Sequence, residues 1–251
     1  MLAATSATWP VVILGRKEPD VDTNDPSRWE LSNADDLLSP GPLHLETGIV
    51  RLPSGALNVA TRVEMPNCKG RMLEWWFTYF HSDEQFRLWN PVDHRDFGYW
   101  DDKWRQGESY VGATTSSTQS LMGVGAAPVV IKFHDPAELF SPQRLAQAFA
   151  DGDVSAIVCA YLGNGADPPR DERGNPLGGR FVHIARDNDF GCVLRSRYFL
   201  GAGLPPEQAP PDEVGLRFLW HSVTEYGFLA RALPSVYWAE NRDREEPPVP
   251  W

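Results

Sequence analysis

The sequence predicts an α+β domain in which an antiparallel sheet curves around a long C-terminal helix. Three observations carry this. Strand-like segments recur between Leu45 and Phe199, the strongest helical spacing follows Pro210-Pro211-Asp212, and 42% of the 251 residues are hydrophobic, enough for a sizeable core.

The first forty-odd residues are rich in Pro, Asp, Asn and Ser. Residues 1–45 read as an extended arm, with a short helical piece around Ser27–Leu38. Leu45 to Glu64 alternates about a Pro53-Ser54-Gly55 turn, as a hairpin does. Met72 to Tyr79 is aromatic-rich and fits either a short helix or a strand. Val129–Phe133 is an apolar strand run. Ser141 to Phe149 is a short helix with Ser141 as N-cap and Pro142 at its first position. Val154–Leu162 and Phe181–Arg186 are strands separated by a Gly/Pro/Arg loop. Gly191–Phe199 is another, with Val193, Arg195 and Arg197 on one face and Cys192, Leu194 and Ser196 on the other.

The C-terminal helix is capped by Asp212. Val214, Phe218, Leu219, Val223, Tyr226 and Leu229 recur at helical spacing until Pro234. Gly215 and Gly227 each cost about 1 kcal/mol relative to Ala, so packing must hold this helix. The main domain is expected over residues 46–240, with a charged, Pro-rich tail over 241–251.

The formal net charge is −11, which repels phosphate backbones and anionic headgroups. Nucleic acid and membranes are therefore poor partners, and a hydrophobic, aromatic small molecule is easier to reconcile with ten tryptophans. Cys68, Cys159 and Cys192 form no C-x-x-C pair, which argues against both a disulfide framework and a cysteine zinc site. Cys159 reads as buried and inert. Neither a long apolar span nor a leader pattern is visible, so a cytoplasmic location is expected.

Two features carry chemistry. His221-x-x-x-Glu225 places an imidazole and a carboxylate on one face of the helix, a turn apart, where they can share a metal. Trp220, Val223 and Leu219 flank the pair and suggest burial. Trp89-Asn90-Pro91-Val92-Asp93-His94 is a turn leaving an aromatic segment, so His94 is expected at an element end, where functional residues concentrate.

Together with Glu74-Trp75-Trp76-Phe77, Leu88, Val111-Gly112-Ala113-Thr114, Arg195-Ser196-Arg197-Tyr198 and His221 to Tyr226, these blocks resemble the diacetylphloroglucinol and phloretin hydrolases, in the same order over residues 46–240. The resemblance implies a Bet v 1-like fold with an enclosed cavity between sheet and helix. It implies cleavage of a C–C bond between an acyl group and an aromatic ring, a zinc held by two His and two Glu, and a homodimer. Carried over by motif, His94, His221 and Glu225 are metal ligands. His183, in Phe181-Val182-His183-Ile184-Ala185, is a general acid or else a core histidine. Tyr198 is a hydrogen-bond donor to a substrate carbonyl or else plain packing. No role falls to His44, His81 or His134.

This chain departs from the family at the fourth ligand. A Glu is expected just before Leu121-Met122-Gly123, and Thr118-Gln119-Ser120 stands there. Phe86 and Phe97 replace a Tyr and an Asn of the hydrolases. Asp93 or Asp96 is a candidate replacement ligand. Two His and one carboxylate still make a zinc set, and also the donor set of non-haem iron. The expected function is metal-dependent hydrolysis of an acylated phenol or related polyketide, with zinc, or alternatively iron, as the divalent metal. A non-hydrolytic cyclase, isomerase or pericyclase using the same cavity is the alternative, and a binding protein for a hydrophobic small molecule is a third class.

Overall fold

A computed structural model describes residues 25–244. An eight-stranded, fully antiparallel sheet runs in the spatial order β1-β2-β8-β7-β6-β5-β4-β3. The strands are β1 (Gly48–Arg51), β2 (Leu57–Pro66), β3 (His94–Trp100), β4 (Thr114–Leu121), β5 (Val124–His134), β6 (Ala156–Asn164), β7 (Gly178–Asn188) and β8 (Gly191–Leu200). Helices α1 (Gly70–Tyr79) and α2 (Asp83–Trp89) carry the chain from β2 to β3 at the opposite edge. Helix α3 (Pro142–Ala150) joins β5 to β6, and α4 (Asp212–Asn241) follows β8.

Helix α4 touches β1 and β2 near one edge and β4 near the other. In a flat sheet β2 and β4 would lie roughly 24 Å apart, twice the width of a helix. The sheet therefore bends around α4, as the Bet v 1-like expectation requires.

Both faces of the central strands are covered, which is why β6 reads as one apolar run. Ala156, Val158, Ala160 and Leu162 face the main core with Trp76, Phe77, Tyr226 and Leu229. Ile157 and Cys159 face a second core with Ala34, Leu38 and Phe140. The N-terminal segment is thus part of the packing. Pro26–Trp29 and Leu31–Leu38 are 3₁₀ helices, where a short helical piece around Ser27–Leu38 is expected, and Asp35 accepts both the backbone N–H and the hydroxyl of Ser141. Ser141 precedes α3 as expected, but its hydroxyl is turned to Asp35 and does not cap the helix. The portions of the arm and tail at 1–24 and 245–251 lie outside the described residues.

Three expectations need correction. Pro211 is the N-cap of α4, and Asp212 is its first residue, bonded to Arg51. The helix also passes through Pro234 to Asn241. Pro234 lacks the N–H that would bond the Ala230 carbonyl, and the Cys68 thiol meets that carbonyl at 3.6 Å. Burial of Leu233 and Tyr237 continues the apolar stripe beyond the proline. Trp220 is 57% exposed, and His221 is instead covered by Phe218, His94 and Asp93.

Strand β3 shows no alternation because bulges at His94/Asp96 and Phe97/Tyr99 break its period, and β4 shows none because its inward residues are polar. Thr115 and Ser117 are buried yet carry no apolar periodicity. Met72–Tyr79 resolves as helix, since α1 places Met72, Leu73, Trp76 and Phe77 on one buried stripe.

Candidate active site

The site is assembled at a turn. Asn90 is extended, as a residue before proline must be. Its buried Oδ1 accepts from the backbone N–H groups of Val92 (3.1 Å) and Asp93 (3.2 Å). The turn ends at His94, the first residue of β3. The His94 ring stacks on Phe86 with centroids 3.9 Å apart and planes within 6°. Its Nδ1 lies 2.9 Å from the Phe86 carbonyl, which can only accept, so Nδ1 carries the proton. Nε2 is left with a lone pair, buried and without a hydrogen-bond partner.

His221 mirrors this arrangement. Its Nδ1 lies 2.9 Å from Oδ2 of Asp93, again leaving Nε2 as a lone-pair donor. Glu225, one turn along α4, places Oε2 3.6 Å from Nε2 of His94 and 3.8 Å from Nε2 of His221. The three ligand atoms all lie within 4.8 Å of one another, and all three residues are buried. Two imidazole nitrogens and a carboxylate oxygen converging this closely fit a divalent cation such as zinc or ferrous iron. Without one, the His94 nitrogen is an orphaned buried polar atom.

The electrostatics agree. Burial pulls His94 down to about 4, against the Phe86 carbonyl, so its ring is neutral at physiological pH. Burial pushes Glu225 up to about 7, opposed by the neighbouring His221, as expected of a carboxylate that lacks a full positive partner. Burial also works against the charge on Asp93. Hydrogen bonds from His221, Gly123, Ser120 and Met122 overcome it and hold Asp93 well below the usual carboxylate range.

His221 and Glu225 line a cavity of about 360 Å³, and His94 reaches Glu225 from just outside that lining. Phe77, Phe80, Phe97, Phe133, Phe181 and Phe218 supply its apolar surface, while Thr115, Ser117, Gln119 and Asn164 form a polar strip from β4 and β6. Among the described residues no lysine or arginine lines it.

His183 and Tyr198 also face this cavity. Tyr198 brings its hydroxyl to Oε1 of Glu225 (3.2 Å) and to the Ser222 hydroxyl (2.8 Å). His183 has both ring nitrogens engaged, Nδ1 by Ser196 (2.7 Å) and Nε2 by the Tyr226 hydroxyl (2.8 Å). Tyr226 and Tyr198 both line the cavity beside Glu225. Burial takes His183 down to about 3, so it holds no spare proton at neutral pH. The sequence treats Tyr226 as core stripe; its place beside Glu225 and one turn from Ser222 was the available signal.

Neither proposed replacement ligand takes that place. Asp93 is spent on His221 Nδ1 and the β4–β5 turn. Asp96 is exposed and pairs with Arg87. Gln119 pairs in register with His94 and lines the cavity, with its amide nitrogen bonded to Ser117. His134 does have partners, the Asp135 carbonyl and Arg180. Cys159 is fully buried, and burial pushes its thiol far up, so it is inert.

A profile of the DAPG hydrolase PhiG domain matches residues 29–238. The chain belongs to that family. It is 24% identical over 212 residues to the phloretin hydrolase of Eubacterium ramulus, covering 75% of this chain and 70% of that protein. Among solved structures, Ara h 8.0201 aligns over 75% of this chain and 99% of its own, at 15% identity and a TM-score of 0.41. The protein NE0264 of Nitrosomonas europaea aligns over 75% and 99%, at 9% identity and a TM-score of 0.42. Membership places the His/His/Glu group in a family of hydrolases. Among the described residues no helix is long and apolar enough to cross a membrane.

Proposed function

We propose that this chain is a metal-dependent hydrolase that cleaves the C–C bond between an acyl group and a phenolic or polyketide-derived ring. The observation that carries the reading is the convergence of the His94 and His221 imidazoles on the Glu225 carboxylate, with His221 and Glu225 lining an aromatic cavity. A divalent cation there would supply Lewis acidity and lower the pKa of water.

The surrounding residues define the rest. With no lysine or arginine in the lining among the described residues, the cavity suits a neutral substrate and disfavours carboxylates, phosphates and their conjugates. The phenylalanine walls hold a ring and exclude bulk water, and the Thr115/Ser117/Gln119/Asn164 strip offers partners for ring hydroxyls. The Tyr198 hydroxyl, kept protonated by burial, is placed to donate to an acyl oxygen as charge develops on it. In the net reaction the oxygen of water joins the acyl carbon, the acyl–ring bond breaks, and the ring carbon gains a proton. The Tyr198 hydroxyl and the Tyr226 hydroxyl, the latter hydrogen-bonded to His183, both border the cavity as a route for that proton, with His183 neutral throughout.

A second reading, a cyclase or isomerase that works by folding its substrate, is favoured by Phe86 and Phe97 and by the neutral Gln119. Turnover of acylphenols in isotopically labelled water separates the two. Label in the released carboxylic acid supports hydrolysis. An isomeric product of unchanged mass, with no acid released, overturns it.

A further inference from the structure

Asp93 joins two parts of the molecule that the sequence keeps apart. One carboxylate oxygen accepts from the Ser120 hydroxyl (2.8 Å) and the Gly123 N–H (2.7 Å). The other accepts from the Met122 N–H (3.1 Å) and His221 Nδ1 (2.9 Å). The Asp93 carbonyl takes the Ser120 N–H at 2.9 Å. The first three donors belong to the tip of the β4–β5 hairpin, where Met122, Gly123 and Gly125 all have left-handed φ (57°, 71° and 56°). Residues on either side of that tip, Leu121, Gly125, Ala126 and Ala127, line the cavity. The side chain that fixes this turn over the cavity therefore also sets the tautomer and aim of His221, and its chain neighbour is His94.

We infer that Asp93 is a positioning residue that couples closure of the 120–127 hairpin to presentation of His221, so that hairpin order and metal affinity rise and fall together. The inference rests on the metal reading above. A fully satisfied carboxylate accepts from four donors here. An asparagine offers one acceptor oxygen and an NH₂ group facing donors, so it cannot serve both the turn and the imidazole. Coupling of this kind is reciprocal: what loosens the hairpin weakens the metal, and the metal tightens the hairpin.

The test uses the purified chain and Co²⁺ alone. Its affinity is measured for the wild type, Asp93→Asn and Ser120→Ala, alongside hydrogen exchange at the Met122 and Gly123 amides with and without Co²⁺. Asp93→Asn is expected to weaken Co²⁺ binding about 10- to 100-fold. Ser120→Ala, which touches neither imidazole, is expected to weaken it to a smaller extent, and Co²⁺ is expected to slow exchange at both amides. A role confined to stapling the hairpin would lower stability and leave Co²⁺ affinity untouched, which overturns the inference. Should Asp93→Asn fail to fold, unchanged affinity in Ser120→Ala together with amide exchange indifferent to Co²⁺ overturns it equally. A wild type that binds no Co²⁺ overturns the metal reading and this inference with it. Binding without coupling removes the inference alone.

Discussion

Nε2 of His94, buried and without a hydrogen-bond partner, lies 3.6 Å from Oε2 of Glu225, a residue 131 positions later in the chain (225 − 94). An uncompensated contact of this kind is costly in a folded core. It persists because each side chain is held from behind, His94 by Phe86 and Glu225 by Tyr198.

Tyr198→Phe removes a hydroxyl that bonds both Ser222 and Glu225. Turnover of an acylphenol substrate is expected to fall about 100-fold in kcat, with KM changed far less. Steady-state kinetics check this. A loss confined to KM would mark Tyr198 as a binding contact.

His183 gives stability a pH dependence of definite sign. Its ordinary value is near 6.5, and in the fold it is about 3. Above pH 6.5 the ring is neutral in both states. Below it the unfolded chain takes up a proton that the native state refuses, so stability falls as pH drops towards 3. His94, at about 4, adds to this trend, and Glu225, at about 7, opposes it between pH 7 and its ordinary range. In metal-free protein, His183→Gln is expected to flatten the loss by up to about 1.4 kcal/mol per pH unit. Chemical denaturation from pH 7 to 4.5 measures it. An unchanged slope contradicts the buried, neutral imidazole.

The two glycines of α4 make opposite predictions. A Cβ on Gly215 would meet Cδ2 of the fully buried Leu57 at 2.3 Å, whereas one on Gly227 would meet nothing within 4 Å. Gly215→Ala is expected to destabilise by about 1–3 kcal/mol, and Gly227→Ala to stabilise by about 1 kcal/mol. Thermal melts of both variants decide it, and equal effects would contradict the close packing of α4 on β2.

The same helix shows what the sequence revealed and what it hid. The Leu219/Tyr226/Leu229 spacing announced α4, and the i, i+4 rule put His221 and Glu225 on one face. The stop at Pro234 was misplaced because the compensating thiol, Cys68, is 166 residues away in sequence (234 − 68) and only the fold brings it near. Strand β4 was missed because its inward face serves a cavity. Thr115, Ser117 and Gln119 erase the apolar alternation that marks a packed strand. Asp93 was noticed as a possible ligand, yet its actual partners, His221 and the hairpin amides, depend on a β3–β4 register that no local pattern encodes.

Pro234→Ala tests the thiol contact. It restores an N–H for the Ala230 carbonyl, so stability should rise, by up to about 3 kcal/mol. The cost of Cys68→Ala should then be smaller in the Pro234→Ala background than in the wild type, a non-additivity measurable by a double-mutant cycle. Strict additivity would show that Cys68 contributes only packing.

The central claim is that His94, His221 and Glu225 hold a divalent cation. Elemental analysis of the purified protein and of Glu225→Ala, with folding checked by circular dichroism, tests it most directly. The account predicts stoichiometric zinc or iron in the wild type and its loss from a folded Glu225→Ala. A wild-type protein that is active when stripped of metal, or a Glu225→Ala variant that keeps its full complement, would contradict it.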